Sequence, residues 1–363
     1  MNPTAHNHPQ RQERTMPHHI SRRRLLQATG GMIAAGTLAS PGILHAQSRG
    51  RIVVGTWGGD YARLLNKNIE RPLLIPQGWE VIQDQAGDPE RRAKMAAERR
   101  LPRGSTDLQG LSAAQMFQVF EQGLTQEIDY SRLKNGNDVI ESMKYPFGVA
   151  HIYSAMVAVY NPDKVDPPKS YAEVFDPRWG DRLGLIDIQY QYTQVAAALG
   201  AGGTTSNLEP GQKRLLEVRR AGARIYPSNE AFAQGLAAEE IHIGIMWKAR
   251  SVQWQNAGIN VKAATPAEGA IAYVSGFAIP RNAPNVEGAY AYLDAMLEPS
   301  AQEAFAVDMG YNPTVYDAKV PPELNARIGF TPEERDSLVN LDYKYMMEND
   351  VALKEWWDKQ FKG

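Results

Sequence analysis

Arg51-Ile52-Val53-Val54-Gly55-Thr56-Trp57-Gly58-Gly59-Asp60 is an apolar run of strand length that breaks on glycine and passes directly into a helical pattern. Asp60 can cap that helix, Leu64, Leu65 and Ile69 share one of its faces, and its end falls near Pro72. The same succession then repeats. Residues 80–83 read as a strand, and Asp88-Pro89-Glu90 opens a helix with proline in its first turn. Residues 106–108 read as a third strand, and Ser112 can cap a helix that stops at Gly123. Such alternation predicts an α/β fold with a parallel sheet covered by helices. Ligands of these sheets bind beyond the carboxyl ends of the strands, here residues 56–61 and 111–115.

A second unit begins after Tyr145-Pro146. Residues 152–160 form a long apolar run, closed by the turn Asn161-Pro162-Asp163-Lys164. Strands are expected at 183–186, 223–226 and 241–246, a small-residue helix at 193–199, and another apolar pass at 270–280. The tail reads as helical. Ser300-Ala301-Gln302-Glu303 and Thr331-Pro332-Glu333-Glu334 both match the capping box, and Trp356, Trp357 and Phe361 fit an amphipathic last helix. There is no internal repeat of fixed period.

The chain has 363 residues, 39 basic and 41 acidic side chains and no cysteine. The absence of cysteine excludes disulfides, thiolate metal sites and cysteine nucleophiles. The charge balance gives no polyanion-binding signal, so no nucleic-acid partner is expected. Residues 1–46 hold five arginines, one acid (Glu13) and five of the seven histidines. Within them Ser21-Arg22-Arg23-Arg24-Leu25-Leu26-Gln27 precedes a Gly/Ala-rich apolar stretch, and Leu44-His45-Ala46 offers a small-residue cleavage site. This resembles a twin-arginine export signal, removed from a mature chain that works in the periplasm. Without it the chain carries 34 basic and 40 acidic groups, net −6, and only His151 and His242. That is poor material for a histidine-rich metal site, and both histidines sit in strand-like apolar runs that suit structural roles.

Several segments match, in order and spacing, the type 2 periplasmic solute-binding proteins of ABC transporters, in the group related to spermidine/putrescine-binding proteins. Residues 53–59 look like that family's first strand and ligand loop. Tyr160-Asn161-Pro162-Asp163-Lys164 and the following residues 170–182 resemble its characteristic turn and helix. Gly244-Ile245-Met246-Trp247 resembles a strand ending in a ligand-facing tryptophan. Ser275-Gly276-Phe277-Ala278-Ile279-Pro280 resembles the return crossing, and Gly310-Tyr311-Asn312-Pro313-Thr314 a late ligand loop. The resemblance runs over nearly all of residues 51–363. It implies two α/β lobes joined by two hinge crossover strands, 47–149 plus 277–363 forming lobe 1 and 150–276 lobe 2. It further implies a monomer that closes on a small organic solute and docks on an inner-membrane ABC permease, with no cofactor and no catalysis.

Trp57 with Gly58, Tyr61, Trp247 and Tyr273 lie at loops or strand ends, where aromatics can box an alkyl chain or a cation, or serve only as core anchors. Ser112, Tyr311 and Asn312 are further ligand candidates, Ser112 either as a hydroxyl donor or as a bare helix cap. The polyamine-binding relatives pair ligand ammonium groups with carboxylates. Here Ser275 stands at the return crossing, and of the stretch 185–190 only Asp187 is acidic, with Tyr190 near another expected acid. Lys248 and Arg250 add positive charge after Trp247. They can clasp an anion or lie on a solvated helix face with Gln253. Desolvated diammonium ligands need paired anions, so the expected solute is anionic or zwitterionic, such as an amino-acid derivative, ahead of a polyamine. Two other readings compete. An iron(III)-binding transport protein would use tyrosines such as Tyr190 and Tyr192, although these are not adjacent; an extracytoplasmic hydrolase would need a nucleophile–base pair that no motif supplies.

Overall fold

The computed structural model describes residues 49–363; the expected export signal lies outside them. Strand β1, Gly50–Thr56, pairs in parallel with β2, Trp79–Gln85, and with β3, Leu108–Ser112. A two-residue strand β4, Lys144–Tyr145, leads into β5, Gly148–Tyr160, whose thirteen residues are all buried. Strands β6 (Leu183–Ile186), β7 (Arg224–Tyr226) and β8 (Ile243–Trp247) follow, then β9 (Lys262–Ala264), β10 (Ile271–Ala278) and β11 (Asn312–Pro313). The hydrogen-bonded order is β2-β1-β3-β10-β5-β8-β6-β7, with β4, β9 and β11 on β5. Both ends of this sheet are parallel; β5 and β10 run antiparallel to their neighbours in the middle. These are the two crossovers anticipated near 152–160 and 270–280.

The sheet carries two separate cores. One gathers Ile52, Leu65, Met116, Val149 and Leu293; the other gathers Val157, Leu185, Phe232 and Met246. The change from one to the other falls between Tyr153 and Ala155 on β5 and between Ile271 and Val274 on β10. The two crossover strands thus run through both cores, which is the architecture of a two-lobed fold hinged at its centre. The tail departs from the expected grouping. Leu341, Met346, Leu353, Trp357 and Phe361 are buried in the second core, while Tyr343 at the start of helix Tyr343–Trp356 packs on Phe117 and Phe147 of the first.

Local corrections have identifiable causes. Gly58, not Asp60, occupies the N-cap of helix Gly59–Leu65, because Gly59 takes a left-handed backbone (φ 68°) open to glycine at little cost. The helix does not stop at Pro72. It continues in wider turns over Asn66–Leu74, where Ile69 and Leu74 are fully buried and Glu70 accepts from Gln83 and the Tyr292 hydroxyl. The third strand begins two residues later than expected; just before it the Asp107 amide donates to the Val53 carbonyl while the buried Asp107 carboxylate takes the Val53 and Asn285 amides. Ser112 caps its helix as expected, within a capping box that includes Gln115, and Thr331 forms the box anticipated for it, whereas Ser300 does not: its helix starts at Pro299 behind Glu298. Among the described residues no helix is long and apolar enough to cross a membrane.

Candidate functional site

The carboxyl end of β1 delivers Trp57 into a loop and Tyr61 into the first helical turn. Trp57 and Tyr61 meet edge to face with centroids 5.3 Å apart. Gly110 on β3 makes room for this: a Cβ there would sit 3.0 Å from Phe277 and 3.2 Å from Trp57. Tyr61 is buried, and its hydroxyl hydrogen-bonds His151 Nδ1 at 2.8 Å. Burial, reinforced by Tyr273, raises the Tyr61 phenol well above its ordinary value, so it stays protonated. Burial lowers His151 to about 3, leaving a neutral imidazole packed 4.4 Å from Phe305. His151 is structural, as its apolar setting suggested.

From the other half of the sheet, Trp247 ends β8. Its ring lies 4.6 Å from Tyr192, edge to face, and 4.8 Å from Tyr273 on the crossover β10. Tyr273 in turn lies 6.0 Å from Tyr311, and Tyr311 also acts on the Tyr61 phenol. Trp57, Tyr61, Tyr192, Trp247, Tyr273 and Tyr311 thus form one aromatic group fed by both cores and by the hinge. Such a group offers flat faces to an alkyl chain or cation and hydroxyls to a polar head.

The charged candidates separate. Arg250 Nη1 donates to Gln253 Oε1 at 3.1 Å, its Nε is buried without a partner, and its charge reaches Tyr273 and Tyr311. Lys248 instead donates to the Gly329 carbonyl and lies 4.4 Å over the Phe330 ring; burial lowers its pKa. The two do not form a joint clasp, because successive residues i and i+2 leave a helix in different directions.

Five other candidates are engaged by the chain itself. Asp187 accepts from Trp357 Nε1 at 2.7 Å and from Lys362 Nζ at 3.0 Å. Burial acts to raise its pKa, but the bonds from Trp357 and Lys362 outweigh it and hold the carboxyl below its usual range. The Tyr190 hydroxyl bonds Asp350, and Lys354 sits over the Tyr190 ring. Asn312 Nδ2 donates to the Ile328 carbonyl at 2.9 Å. Ser112 Oγ accepts from the Gln115 amide as a cap, and Ser275, its partner in register on β10, donates to Leu111 O at 3.3 Å. Tyr190 and Tyr192 also face different partners, and among the described residues no three His, Asp or Glu side chains converge as metal ligands.

A cavity of about 340 Å³ opens between helix Ala113–Glu121 and helix Tyr190–Gly200. Gln115 and Gln118 line one wall and Tyr190 and Gln191 the other, with Tyr343 and Asp350 of the C-terminal helix along its edge. It is the groove between the two halves. Tyr343 and Arg91 were not singled out from the sequence. Arg91 is one of two arginines in Glu90-Arg91-Arg92 and is indistinguishable there from a solvated helix face; only burial marks it.

A two-lobed α/β clamp with an aromatic group at its hinge is a solute-binding architecture. The family model for bacterial extracellular solute-binding proteins matches residues 76–332, and the chain belongs to that family. It is 28% identical over 268 residues to the spermidine/putrescine-binding periplasmic protein of Salmonella typhimurium, covering 70% of this chain and 72% of that one. An ABC transporter protein from Clostridium perfringens superposes with a TM-score of 0.75 at 22% identity, over 84% of this chain and 98% of that one. The PBP AgtB of A. tumefaciens R10, solved in complex with agropinic acid, superposes with a TM-score of 0.66 at 20% identity, over 87% and 100%.

Proposed function

We propose that this chain is the periplasmic component of an ABC importer that captures an anionic or zwitterionic organic solute, such as an amino-acid derivative, in the aromatic group. One observation carries the preference over a polyamine. Asp187, the acid retained where polyamine-binding relatives use carboxylates, is already neutralised by Lys362 and Trp357, while Arg250 brings an unpartnered guanidinium donor to Tyr273 and Tyr311. A desolvated diammonium ion would meet net positive charge there. Trp57 and Trp247 close on the solute from opposite halves, and closure is stabilised by contacts made only when both halves reach it.

The lobes are assigned as 47–149 plus 277 to about 340, and 150–276 plus the C-terminal helix, which follows the division of the two cores. The chain is exported through its twin-arginine segment, loses that segment, acts as a monomer, and passes its solute to an inner-membrane permease; nucleic acid is not a partner. Titration calorimetry of the mature protein against diamines, amino acids and organic anions tests the solute class. Binding of an acid or zwitterion is expected. Tight binding of spermidine or putrescine alone would reverse the charge argument.

A further inference from the structure

We propose that Arg91 receives the carboxylate of an amino-acid solute and that Asp88, one helical turn earlier, receives its ammonium group; this deepens the reading above and rests on it. Arg91 is 1% exposed. Its Nε donates to Ala86 O at 3.1 Å, and its Nη1 donates to Gly110 O at 2.6 Å and Gln109 Oε1 at 3.1 Å. Nη2 has no partner. An ionised donor left unpaired in the interior is costly, and the planar guanidinium is shaped to give such a donor to a carboxylate.

The guanidinium lies 4.8 Å over the Trp57 ring, and its charge acts on Tyr61. It therefore sits between the carboxyl ends of the parallel strands β1 and β3, where such sheets bind ligands. Asp88 offers the complementary vacancy. Its Oδ2 accepts from Arg92 Nε at 3.0 Å and Gln115 Nε2 at 2.9 Å, while Oδ1 is buried without a partner. Residues i and i+3 share a helix face, so one wall presents an unsatisfied donor and an unsatisfied acceptor of opposite charge. A zwitterionic head satisfies both. A diamine satisfies only Asp88 and faces the Arg91 charge.

The test uses ligand pairs that differ only in the α-carboxylate: ornithine with putrescine, lysine with cadaverine, and arginine with agmatine. Calorimetry on the mature protein is expected to show at least one amino acid binding about tenfold or more tighter than its amine. Arg91→Gln is expected to erase that preference without weakening the amine, and Arg91→Lys to restore part of it. Preference for the amine in every pair would overturn this proposal together with the solute reading, whereas no binding by any of the six would overturn this proposal alone. A preference for the amino acid that survives Arg91→Gln would overturn the role of Arg91 alone. Should Arg91→Gln fail to melt cooperatively, Asp88→Asn carries the test. It is expected to weaken ornithine about tenfold and to leave 5-aminopentanoate, which lacks the α-amino group, unchanged; equal losses for both would overturn the proposal.

Discussion

At the carboxyl ends of β1 and β3 the first half of the molecule presents Trp57, Tyr61 and Arg91; at the carboxyl end of β6 the second half presents Asp187 and Tyr190. Topologically these are equivalent places. In the first, Arg91 keeps a buried donor without a partner. In the second, the C-terminal segment has arrived: Trp357 and Lys362 take Asp187, and Asp350 takes Tyr190 and Gln191. The difference teaches that a polar group at a strand end keeps an atom without a partner only where no later part of the chain reaches it. The second half recovers its share of the site through Trp247 and Tyr192, which the C-terminal helix leaves to the aromatic group.

The comparison can be broken most forcefully at Trp357, which is fully buried and holds Asp187. Trp357→Ala is expected to destabilise the protein by about 3–5 kcal/mol in urea unfolding, as for other large-to-small changes in a core. A loss below about 1 kcal/mol would mean that the tail is not an integral part of the second half.

The hinge side is probed by acid. His151 has a folded pKa depressed to about 3 against an ordinary 6.5, so the unfolded chain binds the extra proton between those values. Stability from this residue is complete above pH 6.5 and is lost as pH falls, by about 1.4 kcal/mol per pH unit toward pH 3. Replacing His151 with Phe should flatten that part of a stability–pH profile; an unchanged slope would show that other groups cause the acid loss.

Gly110→Ala sharpens the account of the first wall. Its Cβ would crowd Phe277 and Trp57 within 3.0–3.2 Å, costing about 1–3 kcal/mol in thermal unfolding and moving Trp57 enough to alter its fluorescence. The smallest expected change is Asp187→Asn, with a loss of about 1 kcal/mol because the pair with Lys362 is partly solvated. The carboxyl is held below its usual range, so its contribution is present above about pH 4 and disappears as pH falls through the folded value. Solute affinity should barely change; a large fall in calorimetry would return Asp187 to the ligand site.

Much of the fold was legible because its signals are local. The strand at 183–186, the Ser112 cap, the Thr331 capping box and the apolar crossovers depend on residues within one or two turns of each other. Boundaries failed beside distant contacts, as where Asp107 reaches the backbone of residues 53 and 285, or where burial of Ile69 and Leu74 carried a helix through Pro72. Among the candidates, Trp57, Tyr61, Trp247 and Tyr273 were read as aromatics at loops or strand ends, and the fold places them there. Asp187, Tyr190, Lys248 and Asn312 were read as free groups because nothing in a sequence shows that Trp357, Asp350, Gly329 or Ile328 will reach them.

By itself the sequence determined the alternation of strands and helices, the two central crossovers, the cysteine-free chemistry and the excess of positive groups over acids near residue 247, since periodicity, capping and composition act over short distances. Which charges remain available to a solute was decided only by the tertiary structure. A carboxylate 170 residues away from its indole partner, or a guanidinium one turn into a helix, acquires its state from the burial and pairing that the folded chain imposes.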